Sequence, residues 1–270
     1  MILGTYHAHT EFCDGKSSAE EMILSAIDLG AAEIGLTPHS PIKGEDWSMS
    51  EEGLLEYKRT VTRLKDKYKD RITVFMGIEE DVISGTDTRD FDFVIGSVHS
   101  VFAEGKNLWV DLSPTEVREN VKKYFHSDSY KYTEAYFDSV KEVYEKTHCD
   151  IIGHFDLVTK FIERDPLFSP LDERYLKQRD EALLTLLNTP ALFEVNTGAI
   201  TRKIRSTAYP AENLLHILKK ENARLILSSD SHEIGTLDGV FDETRRYLYD
   251  IGFRTVYTLW DGDFVPNTLI

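Results

Sequence analysis

Cysteine is scarce, with only Cys13 and Cys149 in 270 residues. Two thiols cannot build the disulfide framework of a small secreted fold. Long apolar runs are also missing, since none approaches the roughly 18 residues that a membrane span needs. No charged segment followed by an apolar leader opens the chain. Basic residues are the minority, 31 Lys and Arg against 47 Asp and Glu, for a formal charge of −16. Such a field repels polyanions and offers no general surface for nucleic acid or acidic lipid. A small anionic substrate stays open, because bound divalent cations reverse the sign locally. The expectation is a soluble cytoplasmic protein with no nucleic-acid or membrane partner. Its oligomeric state is left open.

The sequence does contain enough apolar residues, 41% of the chain, to fill a sizeable core. They recur as short strands alternating with helical patterns. The first apolar run ends at His7 and His9, and residues two apart on an extended backbone point to one side. Ser18 with Glu21 predicts a capping box, opening a helix that stops at Gly30. A second strand runs from Glu33 to His39, and Leu54, Tyr57, Val61, Leu64 and Tyr68 then fall at helical spacing. Further strands end at Glu79, His99, His154 and Asn196, and a seventh begins at Leu225 and reaches Asp230 and His232. Helices are predicted over 132–147, 175–187, 211–221 and 241–249. Residues 100–130 read as a polar lid or substrate loop. The terminal stretch 255–260 closes the chain.

Strands separated by helices imply a parallel sheet, because parallel neighbours need long crossovers. A β/α barrel fits better than an open sheet, since ligand-type residues end at least six strands and barrel strand ends converge on one mouth. The expected fold is α/β, a distorted seven-stranded (β/α)7 barrel forming one domain over residues 1–270. Six of nine histidines, His7, His9, His39, His99, His154 and His232, fall at strand ends. With Glu79 and Asp230, and Asp14 and Glu80 nearby, they are too many for one zinc. They suit two or three divalent ions sharing a bridging carboxylate. Neighbouring strand residues face opposite sides, so only one of Glu79 and Glu80 can face such ions.

The motifs His7-Ala8-His9-Thr10, Asp14-Gly15, Pro38-His39-Ser40, Gly77-Ile78-Glu79, Gly96-Ser97-Val98-His99-Ser100, Gly153-His154 and Ser229-Asp230-Ser231-His232 occur in this order. Together they resemble the polymerase-and-histidinol-phosphatase superfamily of metal-dependent phosphoesterases. Gly96-Ser97-Val98-His99 and Glu194-Val195-Asn196-Thr197-Gly198 are most similar to its histidinol-phosphate phosphatase branch. The resemblance implies two to three divalent ions, Zn, Mn or Fe. His7, His9, Glu79 and Asp230 would hold the first, and Glu79, His99 and His154 the second. Asp14, His39 and His232 would hold the third. Gly77 two before Glu79 matches the family's Gly-x-Glu and selects Glu79 over Glu80.

The same resemblance implies a phosphomonoesterase acting on L-histidinol phosphate, a small phosphorylated metabolite. Asp230 or His232 can then relay a proton in the reaction. Arg202, Lys203 and Arg205 follow the sixth strand as candidate phosphate contacts, Arg202 first because a guanidinium can grip two oxygens. Lys160 and Arg164 are further candidates. Glu104, Asn107 and Asp111 are candidates for reading the organic part of the substrate. The competing readings are a nucleotide phosphoesterase or exonuclease of the same superfamily, and a non-catalytic metal-binding domain.

Overall fold

The computed structural model describes residues 4–269. The first strand is expected from residue 1, and residues 1–3 lie outside the described residues. The chain opens with β1 (Gly4–Thr5), α1 (Ala19–Asp28), β2 (Glu33–Leu36), α2 (Glu51–Tyr68), β3 (Thr73–Asp81) and β4 (Phe93–Ser97). A hairpin of β5 (Ser100–Ala103) and β6 (Lys106–Trp109) leads to α3 (Pro114–Tyr124), α4 (Ser129–Lys141), α5 (Val143–Thr147) and β7 (Ile151–Ile152). Next come α6 (Glu173–Leu187), β8 (Leu192–Asn196), the short α7 (Gly198–Thr201), α8 (Glu212–Lys220) and β9 (Leu225–Ser228). Then α9 (Phe241–Asp250), β10 (Thr255–Trp260) and β11 (Asp263–Thr268) end the described chain.

One sheet takes nine strands in the order β1-β2-β3-β4-β7-β8-β9-β10-β11. All neighbours from β1 to β10 run parallel, and β11 returns antiparallel along β10. Each of the seven stretches read as strands contributes one, and β10 and β11 bring the sheet to nine rather than the expected seven. The terminal stretch joins them as a hairpin because Val256, Thr258 and Leu259 are buried and find a partner edge in β9. Beyond β1 and β9 the two sides of the sheet meet, where Ala8 bridges Ser231 in parallel. His9 donates its backbone N–H to Ser231 O at 2.7 Å, and Ser231 donates to His7 O at 3.2 Å.

The sheet is buried on both faces, as parallel sheets require. Inside, Tyr6, Phe93, Ile95, Ile151, Leu192 and Leu259 form one apolar cluster. Outside, Val94, Ile152, Phe193 and Leu225 pack with the helices in a second. Alternation along β4, with Val94 facing out between Phe93 and Ile95 facing in, follows the period of two. Among the described residues no helix is long and apolar enough to cross a membrane.

Local signals account for most boundaries. Ser18 accepts from Glu21 N while Glu21 Oε2 accepts from Ser18 N at 2.8 Å, the predicted capping box. Two expectations are corrected. Residues 100–130 hold the β5–β6 hairpin and α3 rather than a loop, because Val101, Leu108, Val110, Val117 and Val121 bury an apolar face. The helix expected over 132–147 is divided into α4 and α5 at Glu142, which ends one and begins the other without a side-chain cap.

Candidate metal centre

Strand ends deliver eight of the nine side chains of the centre. His7 and His9 follow β1 on one side of an extended segment and are fully buried. Asp14 arrives on a loop that folds back on the same segment. A Cβ at Gly15 would lie 2.4 Å from Thr10 N, so only glycine permits that closure. His39 follows β2 and bridges Glu79 of β3, whose carboxylate is 1% exposed. Glu80 turns away and accepts from Thr86 N at 2.8 Å, which selects Glu79 as the residue facing the histidines. His99, His154 and His232 follow β4, β7 and β9. Asp230 sits at φ +49°, a left-handed conformation that aspartate tolerates better than most residues.

All nine predicted side chains converge. Glu79 Oε2 lies 2.8 Å from His39 Nδ1, 3.4 Å from His7 Nε2 and 3.5 Å from His9 Nε2. Its Oε1 lies 3.0 Å from His154 Nε2 and 3.4 Å from His99 Nε2. Asp230 Oδ1 is 3.2 Å from His9 Nε2 and 3.8 Å from His7 Nε2. Asp14 Oδ1 is 3.4 Å from His232 Nε2, 3.7 Å from His39 Nε2 and 3.8 Å from His9 Nδ1. Three groups have ligand atoms close enough for one ion each: His7, His9 and Asp230; His39, Glu79 and His99; and His9, Asp14, His39 and His232. His39 and His9 thus each stand between two groups. His154 touches the centre through Glu79.

The donors fit divalent cations. His7 Nε2, His9 Nε2, Glu79 Oε2 and His154 Nδ1 are buried with no hydrogen-bond partner. Unpaired buried polar atoms are costly, and cations give them partners. The outer ring nitrogens of His7 and His99 are already engaged. His7 Nδ1 donates to Glu194 Oε1 at 2.5 Å, and His99 Nδ1 donates to Asp81 Oδ2 at 2.9 Å. Each bond fixes the tautomer that leaves Nε2 as the ligand atom. Glu194 also accepts from His154 N at 2.7 Å and from Ser228 Oγ, tying three strands together.

Charge follows the same geometry. Burial alone lowers the His7 pKa, but Glu194, Glu79 and Asp230 outweigh it and hold the ring well above its ordinary value. Glu79 and Asp81 do the same for His99 against its own burial. His9 is pushed down to about 3, first by burial and then by His232 and His39. Without cations His7 and His99 therefore carry protons at neutral pH, and a cation must displace them. Adding Zn²⁺ or Mn²⁺ to metal-free protein in weak buffer is expected to acidify the solution, with affinity rising as pH climbs. The sign comes from the raised histidine values: the proton-bound form stabilises the metal-free fold below the unfolded value, and that contribution fades as pH climbs. Calorimetry in buffers of different ionisation heat checks it; pH-independent affinity without proton release contradicts it.

A cavity of about 380 Å³ opens over the centre, lined also by Trp47, Trp109, Asp111, Lys160 and Arg202. Arg202 donates to Asp230 Oδ2 at 3.0 Å and to Asp230 O at 2.7 Å. Lys160 pairs with Asp111 at 3.2 Å. Lys203 and Arg205 are outside the lining. Lys203 is exposed at φ +56°, and its carbonyl accepts from Arg164. Arg205 is buried and donates to Thr159 Oγ1 at 2.6 Å, fastening the turn that carries Arg202 to the one that carries Lys160. Glu104 and Asn107 lie on the β5–β6 hairpin outside the lining. Cys13 Sγ is 3.4 Å from His9 Nδ1, and burial pushes its thiol up to about 12, so it stays protonated.

Sequence reasoning missed Glu194 and Asp81 as orienting groups and Trp47 as a wall of the cavity. The signal was present for the first two. Asp81 stands two residues after Glu79 on one strand, and Glu194 two before Asn196, so each shares a face with another site residue. Nothing in the sequence singled out Trp47.

An α/β protein with a polyhistidine, polycarboxylate centre at the ends of parallel strands has a donor set suited to several divalent ions. The PHP domain family model matches residues 5–198, and the chain belongs to that family. It is 28% identical to "Probable histidinol-phosphatase" of Schizosaccharomyces pombe, covering 98% of this chain and 92% of that protein. It is 29% identical to the protein of the same description from Deinococcus radiodurans, over 93% and 94%. Its fold is similar to that of histidinol phosphate phosphatase from Lactococcus lactis, solved with zinc, L-histidinol and phosphate, at TM-score 0.69 and 22% identity over 97% and 98% of the chains.

Proposed function

We propose that the chain is a metal-dependent phosphomonoesterase that hydrolyses L-histidinol phosphate to L-histidinol and phosphate in histidine synthesis. The observation that carries this is the convergence of nine candidate ligand side chains under a cavity that also holds Arg202 and Lys160. The shared description of the near-full-length relatives supplies the substrate. We take residues 1–270 as one cytoplasmic domain, a distorted seven-stranded barrel of β1, β2, β3, β4, β7, β8 and β9. The Ala8–Ser231 bridge supports its closure.

His7, His9, Glu79 and Asp230 would hold one ion, Glu79, His99 and His154 a second, and Asp14, His39 and His232 a third. Mixed imidazole and carboxylate donors suit Zn, Mn or Fe. When bound, such ions neutralise phosphate oxygens and make water nucleophilic near neutral pH. The protein side is then positioning and proton handling. Arg202 grips the phosphate as a planar fork, and Lys160 adds a point charge beside it. Arg205 acts behind them by holding both turns in register. Asp230 is kept well below the usual carboxylate range, burial opposing and Arg202 and His7 prevailing, so it rests ionised. The proton of the attacking water would pass to Asp230 and from it to the departing alkoxide, so that forming the new P–O bond and breaking the ester bond leave L-histidinol, phosphate and a regenerated carboxylate. His232, its Nδ1 3.0 Å from Asp230 O, keeps that carboxylate's turn in place. Trp47 and Trp109 meet edge to face at 5.0 Å above His39 and limit water at the mouth.

The test is phosphate release by metal-loaded protein from L-histidinol phosphate, a nucleoside monophosphate and p-nitrophenyl phosphate, with metal content measured alongside. The expected kcat/KM on L-histidinol phosphate is about 10⁴ M⁻¹ s⁻¹ or above, within the ordinary enzymatic range, and lower on the others. Preference for the nucleotide reassigns the substrate, and silence across the panel with metal present overturns the reading.

A further inference from the structure

Four carboxylates line the cavity: Asp14, Glu79, Asp111 and Asp230. Three of them stand in groups able to hold an ion, and among the described residues Asp111 stands in none. Its side chain is only 24% exposed, and its partner is Lys160 at 3.2 Å. The cavity it lines has apolar walls of Trp47, Trp109, Leu112, Leu157 and Ile204, and His99 and His154 act on its charge from the centre. Asp111 follows Val110, which is clamped by a 2.8 Å backbone bond to His99 O, so the carboxylate is fixed relative to the centre. A partly buried carboxylate in such a wall needs a cation, because a lone buried charge is strongly unfavourable.

Lys160 supplies that cation while the cavity is empty of substrate. Once a phosphate dianion occupies the centre, Lys160 and Arg202 are, among the described residues, the basic lining groups positioned beside it, since Lys16 is exposed and paired with Glu233. Lys160 then divides its charge between the phosphate and Asp111. The carboxylate is left with a deficit that the leaving group can fill.

We propose that Asp111 is the specificity-determining residue for the leaving group, selecting phosphate esters of amino alcohols by pairing with their ammonium. This deepens the phosphatase reading and rests on it. The ammonium lies over the Trp109 side of the cavity, where an aromatic face also favours a cation, and the ester oxygen points to the metal centre. Uncharged alcohol phosphates leave Asp111 underpaired and bind less well.

The experiment compares L-histidinol phosphate with 3-(imidazol-4-yl)propyl phosphate, the same ester without the amine, on zinc- or manganese-loaded protein. Wild type is expected to favour the aminated ester by roughly 10- to 100-fold in kcat/KM, the size of one charge-assisted hydrogen bond. Asp111→Asn is expected to collapse that ratio, chiefly through KM on the aminated ester, and Asp111→Glu to restore part of it. Lys160→Met lowers both esters through the lost phosphate contact, and the aminated ester less, because Asp111 then has only the ammonium to pair with. Calorimetric affinity for the product L-histidinol, with inorganic phosphate present, falls in Asp111→Asn alongside the kinetic ratio. A ratio that stays at the wild-type value in Asp111→Asn overturns the assignment while leaving the phosphatase reading intact. If loaded wild type cleaves neither ester, the phosphatase reading fails and the assignment falls with it.

Discussion

Replacing Glu79 with glutamine is expected to remove nearly all turnover and much of the bound metal. Its carboxylate reaches five imidazoles, those of His7, His9, His39, His99 and His154, within 3.5 Å. The two oxygens face different groups, Oε2 towards His7, His9 and His39, and Oε1 towards His99 and His154, so one carboxylate would be shared between neighbouring ions. Glutamine keeps the volume but offers one neutral oxygen and an N–H that faces ring nitrogens. Losing a bridging charge at 1% exposure removes several kcal/mol of transition-state stabilisation, a fall on the order of a thousandfold. Steady-state kinetics with elemental analysis checks this, and thermal unfolding of both metal-free proteins separates loss of site from loss of fold. A variant holding full metal with a tenth of wild-type turnover contradicts the bridging role.

Asp230→Asn is expected to reduce turnover by roughly a hundredfold, about 3 kcal/mol. Asparagine tolerates the left-handed backbone at φ +49° as well as aspartate does, so the substitution removes charge without straining the turn. Three things change together. His7 and His9 lose an anionic neighbour. Arg202, 35% exposed in its side chain, loses its carboxylate partner. The acceptor for the attacking water's proton is gone. Leaving-group dependence tells these apart. A ligand and base role predicts equal losses on L-histidinol phosphate and p-nitrophenyl phosphate, because both need the same attack. A donor role predicts a much larger loss on the alkyl ester, whose alkoxide must be protonated to leave. Near-normal turnover at full metal content counts against either role.

The parallel strands and the ligands at their ends were legible because the two signals are local. Short β-branched runs mark strands, and a histidine or carboxylate just beyond a run lies at the sheet's rim whatever the rest of the chain does. Glu79 could be separated from Glu80 by strand alternation and the preceding Gly77, and Glu80 indeed faces Thr86. The basic cluster after β8 was less legible. Arg202 is placed first for its guanidinium, a reason that fits Arg205 equally, and it is the four-residue α7 and the left-handed Lys203 that send only Arg202 of the three into the cavity. Such a turn depends on contacts with residues 159–164, which no local pattern encodes. The β5–β6 hairpin was hidden for a similar reason, its exposed Phe102 and Asn107 masking a single buried row. Trp47 came from a loop with no periodicity at all.

The pairing of Ala8 with Ser231 joins residues more than two hundred positions apart at the level of the ligands. His7 and His9 leave the ribosome more than two hundred residues before Asp230 and His232. A growing polypeptide can complete two of the three proposed cages only when that seam forms, so full loading must wait for Asp230 and His232. Once filled, the ions would rivet these two distant segments together, and chelation should therefore loosen this seam before it disturbs the middle of the sheet.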